Sequence, residues 1–211
     1  MAQAQTLDKR RMILDAAIRV FARQGYHHCR VSDIADEAGV AYGLVYHYFK
    51  SKDQVLNELF TERWSLLLAA TEEVDGQDIP AREKLRTVAS FIIDSYRHDP
   101  ELMKVIIVEV TRAANSFGRT HLPEIRRAYE AIAKIVSEGQ QQGDFRPDVD
   151  PTFASMWFYG AIEQLLSGWV FELIPAGDGD FERAKEMVVE TICGGLEPRP
   201  AKAGGPSRDG A

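Results

Sequence analysis

Residues 42–48, YGLVYHY, form a short segment with an unusually high share of aromatic side chains. Its aromatic and large apolar members are Tyr42, Leu44, Tyr46, His47 and Tyr48. Tyrosine hydroxyls and imidazole nitrogens can donate hydrogen bonds to phosphates, while rings and apolar groups contact sugars and thymine methyls. Gly43 would let the start of a helix approach a sugar–phosphate backbone closely. The segment therefore predicts a surface that contacts double-stranded DNA.

Exposure toward DNA is favoured over burial for Tyr42, His47 and Tyr48, since so many aromatic groups are rare on a solvated face. For Tyr46, burial in the core is an equal alternative, because it follows the expected core residue Val45. Ser32 and Lys52 are expected at helix N-termini, where backbone N–H groups favour a phosphate. With Arg30 they complete the predicted DNA-contacting set.

The charge of the chain is divided unevenly between its two ends. Residues 1–52 contain eight Lys and Arg against five Asp and Glu, a balance of +3, and the remainder has a balance of −10. A basic N-terminal part on an acidic body would draw phosphates to one end of the molecule. The overall net charge of −7 is therefore compatible with DNA binding.

Two short helices separated by Gly39 are predicted around these residues. Ile34, Ala35 and Ala38 mark the first, for which Ser32 is the expected N-cap, and Val45 and Phe49 anchor the second, from about residue 42 to 49. This construction is a helix-turn-helix, whose second helix enters the major groove. A helix so short is not stable alone, so a first helix over 7–24 and the start of a fourth must support it.

Helical periodicity continues through the rest of the chain, with no convincing strand. We expect an all-α fold of about nine helices: a three-helix domain over 1–52, a helical domain over 53–196, and a disordered tail over 197–211, which is rich in Pro, Gly and Ala. Ser51 and Gln54 form a plausible capping box at the start of the fourth helix. Further helices are predicted over 81–97, from 100 onward, and over 123–142, 151–173 and 181–193, with a loop at 114–121.

The runs AAIRVFARQGYHHCRVSDIADEAG and GVAYGLVYHYFKSKDQVL resemble the N-terminal signature of the TetR/AcrR family of regulators across residues 11–60. Matching positions include Gly39, Val40, Gly43, Tyr46, Tyr48, Phe49, Ser51, Lys52 and Asp53. Ala41 stands where Ser or Thr is common in the family, and Leu44 stands where Thr is common. These two departures leave open which operator sequence the protein would recognise. The resemblance implies a repressor that binds a palindromic operator as a homodimer.

The same resemblance implies that the C-terminal domain binds a ligand and pairs with its copy through the last two helices. The 151–173 helix is apolar on a face wider than one neighbour needs, although an internal core is the alternative. The predicted interface comprises Phe158, Ile162, Leu165, Trp169, Met187 and Val188. A hydrophobic small-molecule effector is expected, with pocket candidates Trp64, Leu68, Phe91, Met103, Ile107, Val110, Phe117 and Met156, although such residues are core by default.

The runs VEVTRAANSFGRTHLPEIRR and GAIEQLLSGWV are similar to fatty-acid-degradation repressors of this family, which respond to long-chain acyl-CoA. This resemblance implies an acyl-CoA or fatty acid as effector. Four arginines could then receive the CoA phosphates, and solvated surface positions are the alternative for them: Arg112, Arg119, Arg126 and Arg127. Ligand and DNA would each weaken binding of the other, with helix 4 as the lever between the domains.

Other classes of protein are less compatible with the sequence. No nucleophile elbow, phosphate loop or HExxH motif occurs, so we expect no enzyme, no cofactor and no metal site. Cys29 and Cys193 match no zinc spacing and are expected to be reduced thiols. No apolar run of about 20 residues occurs, so we expect a cytoplasmic protein with no membrane partner. A lipid-binding protein with the same body and no DNA role is the remaining alternative.

Overall fold

The computed structural model describes the backbone of residues 2–111 and 121–197 and the side chains of residues 8–108 and 121–197. These residues form nine α-helices and one π-helical segment, with no strand, which confirms the all-α prediction. The elements are α1 Ala2–Gln24, α2 Val31–Ala38, α3 Tyr42–Tyr48, α4 Lys52–Asp75, α5 Ala81–His98, α6 Pro100–Val105, the π-helical segment Ile106–Thr111, α7 Leu122–Gln142, α8 Pro151–Val170 and α9 Asp178–Leu196. The predicted tail beyond residue 197 and most of the predicted 114–121 loop lie outside the described residues.

The turn between α2 and α3 is the one expected for a helix-turn-helix. Gly39 has φ 65°, in the left-handed region that glycine adopts without steric cost. The prediction that Ser32 is the N-cap of α2 is wrong, because the helix begins at Val31 and Arg30 precedes it. The Asp33 carboxylate accepts a hydrogen bond from the Arg30 backbone N–H at 2.7 Å and thus closes this end of the helix.

Helix α3 has seven residues and is held in place by a few buried side chains. Val45 and Phe49 are each only 1% exposed. Burial of such side chains contributes about 1.5–3 kcal/mol each, which compensates for the low stability of an isolated short helix. Helix α3 packs on α2, α2 packs on α1, and α1 also packs on α6 of the C-terminal part.

The start of α4 confirms part of the predicted capping box. The Ser51 hydroxyl accepts a hydrogen bond from the Gln54 backbone N–H at 3.2 Å. The Gln54 side chain accepts one from the backbone N–H of Lys50, rather than of Ser51, at 2.7 Å. Lys50 and Ser51, which connect α3 to α4, are thereby fixed by two local bonds.

Helices α4, α5, α7, α8 and α9 form the main body, in which α7 packs on α8 and α4, and α9 packs on α5 and α8. Helix α8 ends at Val170 rather than at the predicted residue 173, and Glu172 follows with φ 56°. The predicted division at residue 52 stays a prediction, since α4 runs unbroken from Lys52 and α1 touches the body. No helix among the described residues is long and apolar enough to cross a membrane.

Candidate functional site

The outward face of α3 presents two tyrosines and a histidine to solvent. Tyr42 is 53% exposed and Tyr46 is 43% exposed, while Gly43 and His47 are also exposed and Leu44 is half-buried. The spacings 42/46 and 43/47 are one helical turn each, so the four residues share one face. Of the two alternatives for Tyr46, the structure supports exposure.

Tyr42 and Tyr46 are joined in a defined orientation. The Tyr42 hydroxyl donates to the Tyr46 hydroxyl at 3.1 Å, and the ring centroids lie 5.0 Å apart in an edge arrangement. This hydrogen bond raises the pKa of Tyr42 above its ordinary value, so the phenol keeps its proton at neutral pH. The Tyr46 hydroxyl accepts in this bond, and its own hydrogen remains available for an external acceptor such as a phosphate.

Two residues of the predicted DNA-contacting set have other roles. Tyr48 is half-buried and packs against the core, with its ring centroid 5.1 Å from that of His47, so it is less exposed than the sequence analysis predicted. The Lys52 ammonium donates to the backbone carbonyls of Tyr26 at 2.5 Å and Cys29 at 3.0 Å and lies 4.3 Å from the Tyr26 ring centroid. The prediction that Lys52 meets a DNA phosphate does not fit these contacts, because the half-buried side chain instead ties the α1–α2 loop to α4.

Exposed basic groups beside α3 include one that the sequence analysis missed. Lys50 is exposed between α3 and α4, and no ion pair of its ammonium occurs within the described part of the chain. Arg30, which was predicted, is exposed before α2. The position of Lys50, directly after the helix-turn-helix, was the signal that could have identified it.

A cavity of about 980 Å³ opens where the N-terminal helices meet the body. This volume is within the range typical of small-molecule sites, about 300–1,000 Å³. Its walls combine apolar and charged side chains from five helices and the α5–α6 junction: Arg11, Arg63, Leu66, Phe91, Asp94, Ser95, Arg97, His98, Asp99, Leu102, Met103, Glu182 and Lys185. Such a lining suits a molecule with both an apolar and a charged part.

The structure brings only two of the eight predicted pocket residues, Phe91 and Met103, to this cavity. Trp64 and Ile107 are buried in the core, and Leu68 lines a separate cavity of about 490 Å³. Met156 is 51% exposed on the outside of α8, so its assignment to the pocket is wrong. The side chains of Val110 and Phe117 lie outside the described residues.

The predicted phosphate-binding arginines are only partly described. Arg126 and Arg127 are exposed on α7. Arg127 lines the smaller cavity together with Lys134, and its guanidinium lies 4.0 Å from the Glu72 carboxylate. Arg112 and Arg119 lie outside the described residues. For Arg126 and Arg127, the structure therefore agrees with the alternative of solvated surface positions.

Four of the six predicted interface residues are wrong, because they pack inside the chain itself. Phe158 and Ile162 are fully buried, and Trp169 and Val188 are 3% and 5% exposed. Leu165 is half-buried, whereas Met187 is 59% exposed. The outward apolar face consists instead of Phe153, Met156, Trp157, Phe171, Leu173 and Met187.

Comparison with known families agrees with this architecture. Residues 13–59 match the family described as bacterial regulatory proteins, tetR family. Residues 82–166 match the tetracyclin repressor-like C-terminal domain. The two matches cover the helix-turn-helix and most of the body separately.

Individual relatives are regulators of transcription or metabolism. The chain is 35% identical to the fatty acid metabolism regulator protein of Bacillus subtilis, over 79% of this chain and 86% of that one. It is 32% identical to the HTH-type transcriptional repressor KstR2 of Mycolicibacterium smegmatis, over 92% and 93%. The crystal structure of the transcriptional regulator FadR from Bacillus subtilis in complex with stearoyl-CoA has a TM-score of 0.78 and 29% identity, covering 88% of this chain and 98% of that one.

The contacts of Lys52 predict that it stabilises the N-terminal helices. Lys52→Met removes two charge-assisted hydrogen bonds and should lower the free energy of unfolding by about 1.5–3 kcal/mol, measured by urea denaturation. Lys50→Met is the matched control and should leave it nearly unchanged, because the Lys50 side chain is exposed. Equal stability of both variants would contradict the anchoring role of Lys52.

Proposed function

Because this chain belongs to the tetR family of bacterial regulatory proteins, we propose that it is a repressor that binds a palindromic operator as a homodimer and releases it on binding a long-chain acyl ligand. Its relatives are transcriptional regulators rather than enzymes. The observation that carries the DNA-binding part is the exposed face of α3. The cavity beside α1 carries the effector part.

The recognition surface comprises Tyr42, Gly43, Tyr46 and His47 on α3, with Leu44 at its edge and Arg30, Ser32 and Lys50 beside it. An α-helix fits the major groove of B-DNA, and its exposed hydroxyls, imidazole and rings can contact phosphates, sugars and base edges there. Tyr46 supplies a hydroxyl hydrogen that its Tyr42 partner does not use. Two such helices would read half-sites about 34–36 Å apart, one turn of the duplex.

A homodimer is supported by the outward apolar face of α8 and α9. Phe153 and Trp157 are 58% and 59% exposed with roughly stacked rings, and Met187 is 59% exposed on the neighbouring helix. Large apolar side chains exposed on two packed helices are characteristic of an interface on a protein that otherwise buries its core. Pairing with the same face of a second copy would cover them symmetrically.

An acyl effector is supported by the mixed character of the 980 Å³ cavity. Leu66, Phe91, Leu102 and Met103 give it an apolar wall, and charged side chains surround them. A fatty acid or acyl-CoA has the same division between an apolar chain and an anionic end. The stearoyl-CoA in the Bacillus subtilis FadR structure shows that a relative with this fold takes such a molecule.

Coupling between ligand and DNA follows from the position of the cavity. Arg11 on α1 is part of its wall, and α1 packs on α6, which contributes Leu102 and Met103. Arg11 also pairs with Glu62 of α4 at 3.1 Å, so both α4 and α6 connect the cavity to the N-terminal helices. A ligand that breaks these contacts changes the spacing of the two helix-turn-helix domains in the dimer.

A lipid-binding protein of the same fold with no DNA role is the second candidate. The exposed aromatic face of α3 argues against it, because a lipid carrier does not need such a surface. The two differ in salt dependence: the affinity of a repressor for DNA falls steeply as salt rises, whereas a lipid carrier has little affinity at any salt.

Selection from random duplex DNA should yield a palindrome that the protein binds with steep salt dependence. His47→Ala and Tyr46→Phe should each weaken binding to the selected duplex roughly tenfold or more, since each removes a donor to DNA. Fluorescence anisotropy measures the affinity, and Gln141→Ala is the control because it changes an exposed polar residue at the C-terminal end of α7. Failure to select any duplex would refute the repressor assignment.

The exposed face of α8 predicts that Trp157→Glu converts the dimer to a monomer. A carboxylate at this position would be buried without a partner in a symmetric interface. Native mass spectrometry measures the oligomeric state. Leu122→Glu is the matched control, since Leu122 is 50% exposed but lies on α7, and it should remain dimeric. A dimeric Trp157→Glu variant would remove this face from the interface.

A further inference from the structure

Arg63 is a buried cation without a carboxylate partner. It is 8% exposed, and no carboxylate of the described residues lies within 4.0 Å of its guanidinium. Its position continues the apolar stripe of α4, in which Leu56, Leu59 and Phe60 precede it and Leu67 follows. A charged side chain at a core position is rare unless something pairs with it.

The described groups in contact with Arg63 carry no negative charge. The guanidinium lies 4.9 Å from the Phe91 ring centroid, a cation–π contact that only partly compensates for lost water. Tyr159 interacts with it electrostatically, but desolvation raises the pKa of that phenol well above its usual range, so it stays neutral. Burial correspondingly lowers the pKa of Arg63.

The other Arg and Lys side chains of the cavity differ from Arg63 in this respect. Arg11 pairs with Asp15 at 2.9 Å, Arg97 with Asp178 at 3.1 Å, and Lys185 with Asp94 at 2.6 Å. These cations already have counter-charges from the chain. Arg63 lines the same cavity and is left to pair with whatever enters it.

We propose that Arg63 binds the anionic oxygen of the effector inside the cavity. The proposal rests on the proposed function, in that the effector is an acyl compound, and it adds that the ligand must present a negative charge to Arg63. Leu66 and Met103 line the cavity with Arg63 and offer apolar contact to the adjoining methylenes. The anion can be the carboxylate of a free acid or a phosphate of an acyl-CoA.

The burial of the Arg63 charge should increase the affinity for an anion. A buried charge without a partner destabilises the protein, and an entering anion removes this penalty while forming charge-assisted hydrogen bonds. The guanidinium has donors in a planar fork, which fits two oxygens of a carboxylate or phosphate. A neutral ligand of the same chain length relieves none of this cost.

The test compares three ligands by isothermal titration calorimetry: dodecanoate, dodecanoyl-CoA and 1-dodecanol. Arg63→Met should lose about tenfold or more in affinity for at least one of the two anions, and it should bind the alcohol as the wild type does. Its thermal stability should be equal to or above that of the wild type, because an unpaired buried charge is gone. Arg63→Lys keeps the charge and should retain part of the anion affinity.

Arg82→Met is the matched control, since Arg82 of α5 already pairs with Glu190 and Glu197 and does not line the cavity; its anion affinity should change little. Loss for dodecanoate alone identifies the carboxylate as the anion, and loss for dodecanoyl-CoA alone identifies the phosphate. Unchanged anion affinity of Arg63→Met, an equal loss for the alcohol, or an equal loss in Arg82→Met would overturn the proposal. A wild-type protein that binds none of the three ligands would instead refute the acyl effector itself.

Discussion

The shortness of α3 is the constraint on which the rest of the structure depends. Seven residues cannot hold a helix in water, so its orientation is set by Val45 and Phe49 in the core and by the helices beneath them. Helix α1 packs on α2 and also on α6. A surface that must meet DNA in one orientation is therefore positioned by the same helix that touches the body.

Helix α1 connects the cavity to the helices that carry the recognition surface. Arg11 belongs to α1 and to the cavity wall, and Arg10 of the same helix pairs with Glu58 of α4 at 2.5 Å. Arg63, whose charge has no carboxylate partner among the described residues, directly follows Glu62 on α4 and lies five residues after Glu58. Pairing of Arg63 with an anion changes the electrostatics of the cavity that α1, α4, α5 and α6 line together. A ligand in this cavity would act on the N-terminal helices through direct contacts, because α4 and α6 pack on α1.

Local signals in the sequence were sufficient for the helices and for some of their ends, and insufficient for the directions of side chains. Gly39 and Ser51 set their turn and cap as expected, since both act through bonds to near neighbours. Helix α8 is apolar around most of its circumference, so its pattern gave the width of the buried face but not its direction. Trp157 faces outward and Phe158 inward, which a shift of one residue reverses.

Two basic residues illustrate the same limit. Lys52 was expected to meet a phosphate because it starts a helix, but its partners are the backbone carbonyls of Tyr26 and Cys29, far away in sequence. Arg63 was recognisable as an interruption of an apolar stripe, yet only the tertiary structure shows that no described carboxylate approaches it. Contacts between segments distant in sequence decide both roles.

The central claim is that the cavity and the recognition surface are coupled, and reciprocity of binding tests it most directly. The affinity of dodecanoyl-CoA should be measured by calorimetry for the protein alone and for the protein saturated with its selected duplex. The account predicts weaker binding in the presence of DNA, by the same factor by which the ligand weakens DNA binding. Equal ligand affinity with and without DNA would contradict it.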